Sequence, residues 1–246
     1  MREIVANRWT ARPPQSDPSV MRRLPLLLLL VSTAASAQTR PTSDDMSILS
    51  GRTVGNGDIV IAAALGWPGF WAEIVFAPTS RFNIGFRGAV DYGSPLMDLE
   101  TGIGGDVSIP MRLHLYGRND IDVAAVLRPL AIFGEGALVG QRSTFADNFG
   151  WGVGAEGGMR AGFHVSDAVT LAAGALVTIV YVDTPDAARS NGIVSTFAAV
   201  AAVEALMSRR TLLFAELVGG YGVARDELFA DHGVLRLSLG VAFRLG

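Results

Sequence analysis

Between residues 81 and 92 the chain reads RFNIGFRGAVDY. Phe82, Ile84, Phe86, Val90 and Tyr92 fall on one parity, and Arg81, Asn83, Gly85, Arg87, Ala89 and Asp91 on the other. Strict alternation places successive side chains on opposite faces of an extended strand, so this segment cannot be an amphipathic helix. GIGGDVSIPMRLH repeats the pattern: Ile103, Val107, Ile109, Met111 and Leu113 alternate with Gly104, Asp106, Ser108, Arg112 and His114. Near the C-terminus, Leu235, Leu237, Leu239, Val241, Phe243 and Leu245 lie opposite Arg236, Ser238, Gly240, Ala242 and Arg244.

GWGVGAEGGMRAGFH, residues 150–164, contains Gly152-x-Gly154-x-x-Gly157, the spacing of a dinucleotide-binding turn. That fingerprint requires a helix to open within it and an acidic residue about 20 positions on. Here the glycines lie inside another alternating strand. Trp151, Val153, Ala155, Met159, Ala161 and Phe163 share one face, and Glu156, Arg160 and His164 lie with glycines on the other. The stretch therefore reads as a strand with one apolar face and one polar-or-tiny face.

Ten such segments are predicted, at about 58–66, 70–77, 81–92, 102–116, 120–134, 150–164, 168–182, 194–206, 210–223 and 232–245. Tight polar turns (PTS, GRN, VSD, SRR) alternate with long connections (GSPLMDLET, EGALVGQRSTFADNF, DTPDAARSNGI, ARDELFADH). Only WPG, at 67–69, is short at the end where long connections belong. Alternating short and long connections along an antiparallel meander are the pattern of a transmembrane β-barrel, with the short turns in the periplasm and the long loops outside.

The ends and the composition narrow the setting. Arg22 and Arg23 precede an apolar run, Leu24 to Val31, and Ala35-Ser36-Ala37 is a small-x-small cleavage site before Gln38. Residues 1–37 are thus a signal-peptide region with cleavage expected after Ala37, and Met21 is the expected start. Residues 38–56 read as a polar periplasmic leader, and 57–246 as the barrel. After residue 37 no apolar run reaches the length of a membrane helix. The 246-residue chain has no cysteine, which removes disulfides and thiolate metal sites, and a net charge of −3, which argues against a nucleic-acid partner. No cofactor or metal is expected.

A soluble sandwich also alternates, but its polar faces meet bulk water and carry dense charge. Here those faces hold Gly, Ala, Ser and Thr between isolated charges, and every basic residue is arginine. Such a face suits an enclosed lumen. On the apolar faces, Trp67, Tyr92, Trp151, Tyr181 and Tyr221 fall near the long-connection end, and Phe82, Phe163 and Phe243 near the short-turn end. Two aromatic belts suit two lipid–water interfaces. Phe86, mid-strand, departs from this.

The fold class is therefore all-β: a closed antiparallel up-and-down transmembrane barrel of ten strands, or eight if residues 58–77 are irregular or plugging. Over residues 58–245 the pattern resembles the small outer-membrane β-barrel proteins of Gram-negative bacteria, the OmpA- and OmpX-like class. The last strand, LRLSLGVAFRLG, is similar to that family's assembly signal, although the chain ends Phe243-Arg244-Leu245-Gly246 without a terminal aromatic. The resemblance implies insertion by the outer-membrane assembly machinery, with outer-membrane lipids as partners.

A ten-strand lumen should be mostly plugged or narrowly wet. Its charges need partners at low dielectric, and arginine suits carboxylates through its planar fork. The expected lumen network is Glu73, Arg87, Asp106, Arg112, Arg128, Glu156, Arg160, Glu204, Glu216 and Arg236. Counting from the connections places Glu73 beside Arg87, Asp106 beside Arg128 and Glu216 near Arg236. His114 and His164, near short turns, are expected to cap lumen polarity. His232, with Asp226, Glu227 and Asp231, marks an acidic outer loop. No nucleophile–base spacing stands out, so no catalytic residue is assigned and the chain is expected not to be an enzyme. The expected role is structural or surface-exposed. The alternatives are a narrow channel for small or hydrophobic solutes, and a barrel protease or lipid A-modifying enzyme.

Overall fold

The computed structural model describes residues 46–92, 103–118, 120–135, 149–183, 191–224 and 232–245. The chain divides into two units, 1–37 and 38–246, and all described residues belong to the second. The expected signal-peptide region, the acidic outer loop and the side chain of His232 lie outside the described residues.

Eleven strands form among the described residues: β1 (Ile59–Trp67), β2 (Gly69–Thr79), β3 (Phe82–Asp91), β4 (Gly104–Ser108), β5 (Met111–Arg118), β6 (Ile121–Glu135), β7 (Phe149–His164), β8 (Val169–Asp183), β9 (Asn191–Ser208), β10 (Thr211–Ala224) and β11 (His232–Leu245). β4 and β5 both pair with β3 on one side and β6 on the other, so they are two pieces of one crossing. Pro110 separates them because it has no N–H to give the ladder. Its carbonyl still accepts from Gly85 N at 2.8 Å, and Ile109 N donates to Pro129 O at 3.0 Å. The sheet therefore has ten crossings, as the alternation predicted.

All neighbouring strands are antiparallel, and the ladder closes where β1 meets β11, from Ile59↔Leu245 to Trp67↔Leu237. Closure matters in lipid, where each unsatisfied backbone group costs several kcal/mol. One close approach secures the seam. A Cβ on Gly240 of β11 would stand 2.2 Å from the Phe214 ring and 2.5 Å from Ala63 O, so only glycine lets that ring lie against the wall.

The two faces separate as the sequence requires. Outward-facing Leu65, Phe86, Ile179, Phe197, Leu237 and Leu239 are exposed, while Asp122, Glu156, Glu204 and Glu216 on the inward face are buried. A girdle this apolar is a large exposed hydrophobic surface, and the charged parity looks into the closed interior. Trp67, Tyr92, Trp151, Tyr181 and Tyr221 are exposed at the long-connection end. Phe163 and Phe243 are exposed at the short-turn end, where Phe82 is half-buried. Trp67 and Tyr92 meet edge to face at 6.4 Å, and the Tyr92 hydroxyl donates to Gly66 O.

The inward face is less uniformly small and polar than the sequence suggested. Leu130, Val180, Val182 and Val194 form one buried apolar cluster, and Leu176, Val200 and Val218 form another. Trp71 and Phe214 also point inward and stack at 5.5 Å. Residues 46–54, within the stretch 38–56 expected to be a polar periplasmic leader, lie instead inside the barrel. Met46, Ile48, Leu49 and Val54 pack against Val60, Val75, Leu212 and Ala242.

Candidate functional site

The functional candidate is the lumen, which has three levels. At the short-turn end, residues 46–54 act as a plug. A segment of chain within a barrel brings backbone N–H and C=O groups that must all be satisfied there. Glu204 of β9 accepts from Ile48 N and Leu49 N, both at 2.7 Å, and from Ser47 Oγ at 2.8 Å. Asp122 of β6 accepts from Gly51 N at 2.5 Å and pairs with Arg52 Nε at 3.3 Å. Arg112 of β5 donates to the carbonyls of Ser47 at 3.3 Å, Arg52 at 3.0 Å and Ile48. His114 Nδ1 donates to Gly51 O at 2.8 Å, Val54 N donates to Asn83 Oδ1 at 3.3 Å, and Arg244 donates to Val54 O at 3.3 Å while pairing with Asp58 at 3.2 Å.

Gly51 is required by this contact: a Cβ there would stand 2.3 Å from Asp122 Oδ1 and 2.6 Å from Val123 N. Thus Arg112, Asp122 and Glu204 hold backbone, and two members of the expected charge network, Arg112 and Glu204, find their principal partners in the plug. Asp122, absent from that network, has two of its partners, Gly51 and Arg52, about 70 residues away in the leader and a third, His164, on β7. The signal that could have found it is parity: Asp122 lies six residues before Arg128 on the same strand and shares its inward face.

The waist of the lumen is a ring of ion pairs. Arg128 and Glu156 are register partners on β6 and β7 and meet at 3.1 Å. Arg128 also reaches Asp106 at 3.7 Å, the neighbour expected from the sequence. Glu216 pairs with Arg160 at 2.8 Å, whereas Arg236, expected near Glu216, reaches Glu156 at 3.6 Å. The register does set Arg236 diagonal to Glu216, since Ser238 is the latter's partner. The ion pairs differ because inward side chains of a narrow barrel also meet non-adjacent walls, which counting along strands ignores. Arg160 donates to Leu49 O at 3.3 Å as well, tying the plug to the ring.

Glu73 and Arg87 are register partners, as counting placed them. The Arg87 guanidinium instead lies over the Trp71 ring, 4.0 Å from its centroid, and no ion pair joins it to Glu73 among the described residues. Trp71 shields a cation that would otherwise need a carboxylate.

Above the waist, toward the long-connection end, the lumen opens into a chamber of about 180 Å³. Leu130, Val180 and Val194 form its apolar side, and Arg87, Arg128 and Arg236 share its charged side with Asp91, Asp106, Glu156 and Glu216. Below the waist a smaller void of about 70 Å³ separates Glu73 and Arg87 from the plug tip. A third cavity of about 200 Å³, at the short-turn rim, is lined by Arg52, Asp120, His164 and Thr170. His164 and His114 lie at this end, where they were expected. Among the described residues no cluster of three metal-ligating side chains occurs.

The chain is similar to the translocator domain of the autotransporter NalP from Neisseria meningitidis, with 11% identity over 92% of this chain and 96% of that one and a TM-score of 0.40. It is also similar to OmpT, an outer membrane protein of Vibrio cholerae, with 11% identity over 87% of this chain and 73% of that one and a TM-score of 0.31. No family model matches the sequence, and no curated protein matches it. The expectation that the chain is no enzyme is corrected here. OmpT stands among the barrels it is similar to, at a likeness that speaks to fold alone. The described residues also hold what the sequence reading found missing, an acid, an imidazole and a hydroxyl in one hydrogen-bonded chain. His164 Nε2 meets Asp122 Oδ2, and His164 Nδ1 meets Thr170 Oγ1 at 2.8 Å.

Proposed function

We propose that the chain is an integral protein of the Gram-negative outer membrane whose lumen is held shut by its own N-terminal segment, with a structural or surface-exposed role. The observation that carries this reading is the clamp of Glu204, Asp122 and Arg112 on the backbone of residues 47–52. The apolar outer girdle supports placement in a bilayer, and the signal-like residues 22–37 support export. Short turns would then face the periplasm and long loops the exterior. The apolar alternation of β11, with Phe243 near its end, supports recognition by the outer-membrane assembly machinery. Eight strands fill an OmpA- or OmpX-type barrel, so ten crossings favour a place in the wider group of small outer-membrane barrels.

Single-channel recording of the full chain in planar bilayers tests the closed lumen. The expected result is a flat current, and stable conductance steps would overturn it. A second reading, a narrow passage for small or hydrophobic solutes, is favoured by the chamber above the waist and its apolar side. It predicts steps or solute uptake once Glu204 is replaced by Ala, and a current that stays flat in that variant counts against it.

A further inference from the structure

We propose that the chamber above the waist is a binding site for a small hydrophobic monocarboxylate. The inference rests on the closed barrel and not on whether the lumen conducts. Its first support is the division of the chamber's lining. Leu130, Val180 and Val194 are buried hydrophobics on the lumen side of a barrel wall, where side chains facing only water would be polar. With the opposite wall, where Arg87, Arg128 and Arg236 stand among Asp91, Asp106, Glu156 and Glu216, they create an amphipathic cavity, apolar on one side and charged on the other, which is the form of a small-molecule site.

The second support is the state of the cations. Arg128 is engaged by Glu156 and Asp106. Arg87 has no carboxylate partner among the described residues, and its Nε has no hydrogen-bond partner there. Arg236 lines the chamber, has one long contact, 3.6 Å to Glu156, and its side chain is 34% exposed. Asp106, Glu156 and Glu216 are already engaged by Arg128 and Arg160, so Arg87 and Arg236 are the lining cations with the weakest carboxylate contacts and the place where a guest anion would sit. A carboxylate is matched to a guanidinium fork. Asp91 on the same lining disfavours a second negative charge on the guest.

Size sets the body of the ligand. An apolar cavity of roughly 150 Å³ takes up benzene. A chamber of about 180 Å³ therefore suits one aromatic ring or a short chain bearing a carboxylate. The carboxylate would take the Arg87 and Arg236 side and the ring the Val180 and Val194 side, with Trp71 between the two.

Calorimetric titration of the full chain in lipid nanodiscs with 3-phenylpropanoate tests this, with 3-phenylpropanol and 3-phenylpropylammonium as matched neutral and cationic probes. The expected result is saturable binding of the carboxylate, at least tenfold tighter than either analogue. Arg87→Gln and Arg236→Gln should each weaken it about tenfold, and Val194→Asp should abolish it. Gel migration before and after boiling separates loss of the site from loss of the barrel, and any variant that loses the folded band is replaced by the other arginine variant. Equal affinity for carboxylate and alcohol, no saturable binding at millimolar carboxylate, or unchanged binding in both arginine variants overturns the proposal. Each of these results leaves the closed-lumen reading standing, because that reading is measured by conductance.

Discussion

Replacing Glu204 by Ala removes the acceptor for three plug donors: Ile48 N, Leu49 N and the Ser47 hydroxyl. Hydrogen bonds to a charged group contribute about 1.5–3 kcal/mol each, and donors left buried without a partner cost a similar amount. At the low end the three bonds together hold residues 47–49 by about 4.5 kcal/mol. Asp122, His114 and Arg112 still hold Gly51 and Arg52, so the variant should release the first part of the plug and keep the rest. At about 1.4 kcal/mol per factor of ten, the open population of this stretch should rise about a thousandfold if nothing relaxes, and at least tenfold after relaxation.

The chain has no cysteine, so a single reporter can be placed without interference. Ser50 is fully buried and bonded to Ser47, and Ser50→Cys changes little in size. The assay is the rate of maleimide modification at position 50 in folded protein, in the wild-type background and with Glu204→Gln or Glu204→Ala. The Gln carbonyl retains the two backbone N–H groups without the charge, so the rates should rank wild type, Gln, Ala, with Ala at least tenfold above wild type. Equal rates for wild type and Ala, with both folded, would refute the claim that Glu204 holds the plug.

Arg128 should couple energetically to Glu156 more strongly than to Asp106, since the contacts are 3.1 and 3.7 Å, and double-mutant cycles on urea unfolding in lipid should return coupling of about 0.5–3 kcal/mol. Zero coupling for both pairs would remove the waist as a stabilising ring. Gly240→Val should prevent the folded gel band from forming because a Cβ strikes Phe214 and Ala63 O, whereas Gly219→Ala, with nothing within 4 Å, should fold as wild type. Leu239→Arg, on the outer girdle at 63% exposure, should destabilise the barrel by about 2–4 kcal/mol in lipid, and a neutral result would show that this face does not meet hydrocarbon.

The strands were legible because their signal is local. Period-two alternation located all ten crossings, and the one interruption, at Ile109-Pro110, follows from a residue type visible in the sequence. The lumen was legible only by parity. Arg87, Arg128, Glu156 and Arg236 point inward as their positions require, but which charge meets which depends on barrel width and stagger. Asp106 and Arg128 meet because they lie on adjacent crossings, whereas Glu216 and Arg160 meet between non-adjacent ones. The plug was illegible for a different reason. Residues 46–54 have no period, and their hold comes from carboxylates and guanidiniums that in sequence look like partners for one another. Leu130, Val180 and Val194 were also passed over, because a rule that assigns polar residues to the lumen gives no reason to expect an apolar wall there.

The depth of each charge decides what it does. Eight strands leave an interior that side chains fill, and sixteen leave a water channel, so ten leave a lumen too wide for side chains alone. Near the short turns the inward face carries Ala62, Ala77, Gly162, Ala172 and Ala242, small enough to admit a strand of polypeptide. Polypeptide brings unpaired amides and carbonyls, and Glu204, Asp122 and Arg112 stand at the level where those groups arrive. At the waist one plug carbonyl, Leu49 O, still meets Arg160, and otherwise the same residue types turn to one another: Arg128 to Glu156, Arg160 to Glu216. Above the waist the wall thickens with Val180, Val182 and Val194 but does not close, and Arg87 and Arg236 are left without full partners. A carboxylate moved from the plug level to the chamber, as in Ala198→Glu with Glu204→Ala, should therefore satisfy Arg236 and quench carboxylate binding while freeing residues 47–49. If that double variant kept its plug protected and still bound 3-phenylpropanoate, depth would not be what assigns these charges their roles.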